Sequence, residues 1–121
     1  RTLDDSMTVR EYAAFFRILY NASYLDKAMS QKALEYLSAT EFKRGIVAGV
    51  PPGTLIAHKF GERSFFDSKT KQLHDCGIVY HPAQHYVLCV MSRGDDFDKL
   101  GGVIKDVSAF VYSEVDSQQK R

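Results

Sequence analysis

The sequence predicts an α/β domain of the α+β type: an antiparallel three-stranded meander, two helices before it, and a C-terminal helix packed on one face. Three observations carry this. Apolar residues recur at helical spacing near both ends of the chain, three β-rich apolar runs separated by short polar connections fill residues 54 to 92, and a Gly- and Pro-rich stretch divides the helical part from the strands.

Residues 1 to 7 read as a polar lead-in. Thr8-Val9-Arg10-Glu11 is a capping box, in which the Thr8 hydroxyl takes the Glu11 N–H and the Glu11 side chain reaches back. Val9, Tyr12, Ala13, Phe16, Leu19 and Tyr20 then share one helical face. After a connection from Asn21 to Leu25, Ser30 is the expected cap of a second helix, Gln31 to Ser38, burying Ala33, Leu34 and Leu37. From Thr40 to Gly53 the period is lost, and Gly45, Gly49, Pro51, Pro52 and Gly53 mark a crossing loop whose Ile46, Val47 and Val50 lie over a core.

Strands are expected at Thr54 to Phe60, Leu73 to Tyr80 and His85 to Ser92. With His81 to Gln84 as a hairpin loop, Tyr80 pairs with His85 and Cys76 faces Cys89. One sheet face then carries His74, Cys76, Ile78, Tyr80, Val87, Cys89 and Met91, the other Val79, Tyr86, Leu88 and Val90. Both faces are apolar, so each needs cover. One cover is a helix from about Asp96 to Val115, capped by Asp95, with Phe97, Leu100, Val103, Ile104, Val107, Phe110 and Val111 as its stripe. Gly101 and Gly102 cost that helix roughly 1 kcal/mol each in propensity and suit close packing. The helices of residues 9 to 38 are the other cover, and Asp116 to Arg121 reads as a frayed tail.

A chain of 121 residues with a net charge of +1 suits one domain and shows no basic stripe, which argues against nucleic acid as a partner. No apolar run reaches the roughly 18 residues of a membrane span. The first residues are not a signal peptide, although processing could have removed one. Two cysteines are too few for a disulfide scaffold and lack zinc-ligand spacing. Directly opposed strand residues rarely give relaxed disulfide geometry, so Cys76 and Cys89 are expected as reduced, buried thiols.

The stretch that organises the chemistry is Gly53 to Glu62. Its strand is expected to deliver Lys59 to its C-terminal end, where Gly61 lets the backbone approach a ligand. Taken alone, these are a solvated lysine and a turn glycine. In order, however, Pro51-Pro52-Gly53-Thr54, Ala57-His58-Lys59-Phe60-Gly61-Glu62, Asp75-Cys76-Gly77-Ile78-Val79-Tyr80 and Tyr86 to Gly94 resemble the C-terminal part of the serine β-lactamase and penicillin-binding-protein family, class A type. The likeness runs from Thr8 to Tyr112 and covers about half of that family's catalytic domain.

The resemblance implies acyl transfer or hydrolysis on a β-lactam or a D-Ala-D-Ala-type peptidoglycan peptide, without metal or cofactor, in a periplasmic or extracellular setting. Of the family's S-x-x-K, S-D-N and K-T-G motifs, only the third has a counterpart, Lys59-Phe60-Gly61. It implies that Lys59 holds positive charge beside the nucleophile and that the Glu62 N–H supplies half of an oxyanion hole. Phe60 stands where the family carries a hydroxyl for the substrate carboxylate, a contact worth roughly 1.5–3 kcal/mol when the acceptor is charged.

S-D-N is absent, since Asn21 is the only asparagine. S-x-x-K matches at Ser68 to Lys71, in a polar loop, and at Ser117 to Lys120, in the tail, where neither serine is preorganised. His58, His74, His81 and His85 have no helical metal spacing, and nothing places a Ser-His-Asp set together. The Phe65-Phe66 pair is expected to anchor its loop. The chain therefore reads as one part of a serine hydrolase, lacking the nucleophile, whose partner is the remaining N-terminal half or a second copy. The alternative is a non-catalytic binding module that keeps the sheet.

Overall fold

The capping box predicted at the start of the helical region forms. Thr8 Oγ1 accepts from the Glu11 N–H at 3.1 Å, the Thr8 N–H donates to Glu11 Oε1 at 3.3 Å, and α1 runs Val9–Tyr20. In this computed structural model, residues 7–23, 25–66 and 68–119 are described. Most of the expected lead-in, the end of the tail and the lysine of the Ser117 motif lie outside them.

The second helix, α2, is Lys27–Ser38, one turn longer than expected, and its cap is Asp26, whose side chain accepts from the Met29 N–H at 2.8 Å. Ser30 is buried inside the helix. A carboxylate at the N-terminus also suits the helix dipole. The crossing loop holds one 3-10 turn, Ile46–Gly49.

The strands are β1, Ile56–Ser64, β2, Lys71–Tyr80, and β3, His85–Gly94, antiparallel in the order β1-β2-β3. Tyr80 pairs with His85 and Cys76 with Cys89, as the four-residue loop requires. All three strands run further than expected towards the Phe65 turn. Lys59 is consequently in mid-strand, opposite Cys76, rather than at a strand end, because Gly61 pairs with His74 and does not break the ladder.

Alternation sorts the sheet into the two faces expected. Phe16, Leu19, Leu34, Ala57, Cys76 and Ile78 form the core under α1 and α2. Ile56, Leu73, Val79, Leu100 and Ile104 join Phe42, Ile46 and Val50 on the other side. There the cover is α3, Phe97–Gln118, whose cap is Asp96 rather than Asp95 and which continues through residues expected as tail. Its buried side is Leu100, Gly101, Ile104 and Ser108, while Val103, Val107 and Phe110 remain exposed. The apolar stripe read from the sequence is thus wide, and packing uses only one edge of it, where Gly101 and Ser108 allow a close approach.

The cysteines are a correction. Cys76 and Cys89 are joined by a disulfide. Their Cα atoms are 3.9 Å apart, closer than the roughly 4.4–6.8 Å usual for bonded pairs. The approach of β2 and β3 at this rung, with both side chains on the α1 face, is what brings the sulfurs together. Thiol titration in denaturant without reductant is therefore expected to find no free thiol. Replacing both cysteines by serine should cost about 2–3 kcal/mol in urea unfolding, the chain-entropy value for a loop of this span. Two titratable thiols in freshly prepared protein would contradict this.

Candidate active site on the first strand

Because β1 alternates, Ala57, Lys59, Gly61 and Arg63 face α1 and α2, and His58 and Phe60 face α3. Lys59 is exposed on an edge strand. Its Nζ donates to the Phe60 carbonyl at 2.8 Å, and among the described residues it has no carboxylate partner. Gly61 lies under the imidazole of His74, which a Cβ at position 61 would strike. The freedom that glycine gives here is taken up by a ring of the neighbouring strand.

Phe60 stacks on Phe42, with ring centres 4.1 Å apart and planes 10° from parallel, and the Lys59 ammonium lies 5.5 Å from the centre of the Phe60 ring. Glu62 pairs in register with Leu73, and its side chain meets Arg44 at 3.1 Å, where Arg44 also holds Asp98 at 2.7 Å. The sequence-derived residues Lys59, Phe60, Gly61 and Glu62 are therefore contiguous on β1 but divided between the two faces of the sheet.

The histidines are each engaged separately. His58 Nδ1–H donates to Asp75 at 2.8 Å in the core, since the carboxylate is the acceptor. His81 accepts from the Ala83 N–H and reaches Asp116 at 3.2 Å. His85 Nδ1 meets the Tyr20 hydroxyl at 2.7 Å. Among the described residues no three His, Cys, Asp or Glu side chains converge as metal ligands. Of the expected loop anchors, Phe65 packs beside two arginines, but Phe66 is fully exposed and anchors nothing.

Sequence reasoning missed His74 and its surroundings. The His74 ring lies 5.2 Å from that of Tyr12, and both border a cavity of about 620 Å³ between the start of α1 and the end of the sheet. Burial, then Lys59, hold the His74 pKa below its ordinary value, against an upward pull from Asp75. Burial, with a smaller effect of Asp75, raises that of Tyr12. The hairpin register was the available signal, because counting back from Tyr80 and His85 puts His74 on the Lys59 face.

The family model described as the beta-lactamase enzyme family matches residues 1–115. The chain belongs to that family. Among solved structures it is similar to PBP-A, with a TM-score of 0.75 and 21% identity over 89% of this chain and 39% of that one. It is also similar to a beta-lactamase from Chitinophaga pinensis, with a TM-score of 0.80 and 20% identity over 88% of this chain and 41% of the other. A PBP-A variant in an acyl-enzyme complex with penicillin G matches with a TM-score of 0.75 at 21% identity, over 89% of this chain and 39% of that one. At these identities the likeness shows the fold, a partial β-lactamase and penicillin-binding-protein fold. The chain spans about two fifths of the length of the structures it matches. A search of curated protein sequences finds no relative.

Two outcomes follow for the side chains flanking Lys59. Phe60→Thr removes a half-buried ring stacked on the core, so it is expected to lose roughly 1 kcal/mol in urea unfolding, less than for a fully buried side chain. A loss below about 0.5 kcal/mol would mean that the Phe42 contact contributes little. For His74, a depressed folded-state pKa leaves stability complete above the unfolded value of about 6.5 and removes it as pH falls through the folded value. Stability is therefore expected to drop as pH falls below about 7 by an amount that His74→Gln abolishes, and equal pH slopes for the two proteins would contradict it.

Proposed function

We propose that this chain is the C-terminal part of a serine acyl-transfer domain acting on a β-lactam or a D-Ala-D-Ala-type peptide, with the nucleophile supplied by residues outside it. What carries the reading is Lys59: an exposed ammonium on an edge strand, without a carboxylate partner among the described residues, in the Lys-x-Gly position of a chain matched by the family model over residues 1–115. In this role Lys59 holds positive charge beside the nucleophile and attracts the already ionised substrate carboxylate, and the Glu62 N–H is one donor to the oxyanion that develops on the carbonyl oxygen. With a phenyl ring at position 60, carboxylate recognition falls more heavily on Lys59.

The partner in this reading is the rest of the domain. It is supported by the two-fifths coverage of PBP-A and the beta-lactamase, by the open outer edge of β3, and by the exposed Val103, Val107 and Phe110 row on α3. A second reading, a binding module without chemistry, is favoured by one observation: the His74 ring fills the space over Gly61 that a substrate would use.

Labelling by a fluorescent penicillin separates the two. The 121 residues alone are expected to remain unlabelled. The longest reading frame containing them is expected to be acylated, and Lys59→Ala to slow acylation by about 10²–10³-fold, the effect of removing one preorganised charge-stabilising donor. Labelling of the isolated chain, or equal rates with and without Lys59, would refute the assignment.

A further inference from the structure

We propose that the cavity at the Arg63, Gln72 and Arg93 rung of the sheet binds an oxyanion group, a carboxylate or phosphate, carried by a ligand with an apolar body. The three side chains are aligned across β1, β2 and β3, Arg63 opposite Gln72 and Gln72 opposite Arg93, on the face that also carries His74 and Met91. Both guanidiniums gather at one ring, lying 5.1 Å and 6.0 Å from the centre of Phe65. Two like charges gathered around one ring raise the positive potential of the cavity, and a bound anion offsets their mutual repulsion.

Among the described residues neither arginine has a carboxylate within ion-pair distance. The one acid that lines the cavity, Glu62, is bound to Arg44. Arg93 is also positioned. With the Gln72 amide turned so that its oxygen faces the guanidinium, Oε1 accepts from Nη2 at 2.6 Å and from Nε at 3.2 Å. That contact uses one side of the fork and leaves the remaining Nη donors for a ligand, as bidentate recognition of a planar carboxylate or a phosphate requires. Tyr12, Met7 and Met91 give the cavity apolar walls for the rest of the molecule. The site requires no part of the acyl-transfer reading, so either can fail without the other.

The 121-residue chain is titrated with glutarate, with inorganic phosphate and with neutral glutaramide while the arginine Nε–H and His74 ring resonances are followed by NMR. Saturable shifts at Arg63, Arg93 and His74 are expected with at least one of the two anions and not with glutaramide, and the tighter anion identifies the source. Arg63→Gln and Arg93→Gln are each expected to weaken binding by about tenfold or more. Arg93→Lys, which keeps the charge and loses the fork, should weaken it less, and Lys105→Gln on α3 should leave it unchanged. Arg93→Lys also serves if a glutamine variant does not fold. Non-saturating shifts with both anions, or a loss with Lys105→Gln equal to that with Arg93→Gln, would overturn the proposal.

Discussion

A carboxylate with no exposed surface must have its oxygens met by donors, and Asp75 is met from two other parts of the chain. The Ile46 N–H donates to Oδ2 at 2.9 Å and His58 Nδ1–H to Oδ1 at 2.8 Å. One side chain of the central strand thus fixes the crossing loop and the first strand together. Losing either donor leaves a buried acceptor unmet, a cost of about 1–3 kcal/mol. The same contact fixes the residue at position 45, where a Cβ would lie 2.5 Å from Asp75 Oδ2 and 2.9 Å from the Phe42 ring. Glycine is there for room.

The rest of the loop is attached by hydroxyls. Ser108 Oγ donates to the Ile46 carbonyl at 2.8 Å, joining α3 to the 3-10 turn, and Thr40 Oγ1 donates to the His58 carbonyl at 3.0 Å. An irregular segment laid over a core brings backbone polar groups that water cannot reach, and these side chains answer them. The position of Lys59 follows, because its two neighbours His58 and Phe60 are both held on the far face, by Asp75 and by Phe42. The lysine is presented by what its neighbours are committed to.

The face turned to α1 is built differently along its length. Towards Tyr80 it is closed by Phe16, Leu19 and Leu34 and by the disulfide. Towards the Phe65 turn the helix cover ends, and the side chains change to Gly61, His74, Arg63, Gln72 and Arg93 around a cavity. Apolar burial and polar recognition thus share one face, with Lys59 near the boundary between them. Exposed Phe15, Ile18 and the outer row of α3 show that the apolar surface of this chain is larger than its own elements cover.

The sequence by itself determined the element order, the first helix cap, the hairpin register and both sheet faces, because each is a local matter of period, cap chemistry or loop length. It also carried the family likeness, through short stretches in the crossing loop and on each of the three strands. It misplaced the start of α2, where Asp26 and Ser30 offer the same kind of cap and only packing chooses between them. It left the cysteines reduced, because whether opposed thiols bond depends on how closely two strands approach. The polar rung of Arg63, Gln72 and Arg93 and the His74 ring over Gly61 were decided only in the tertiary structure. They come from three separate strands, and their charge and shape exist only once β1, β2 and β3 are side by side under the start of α1.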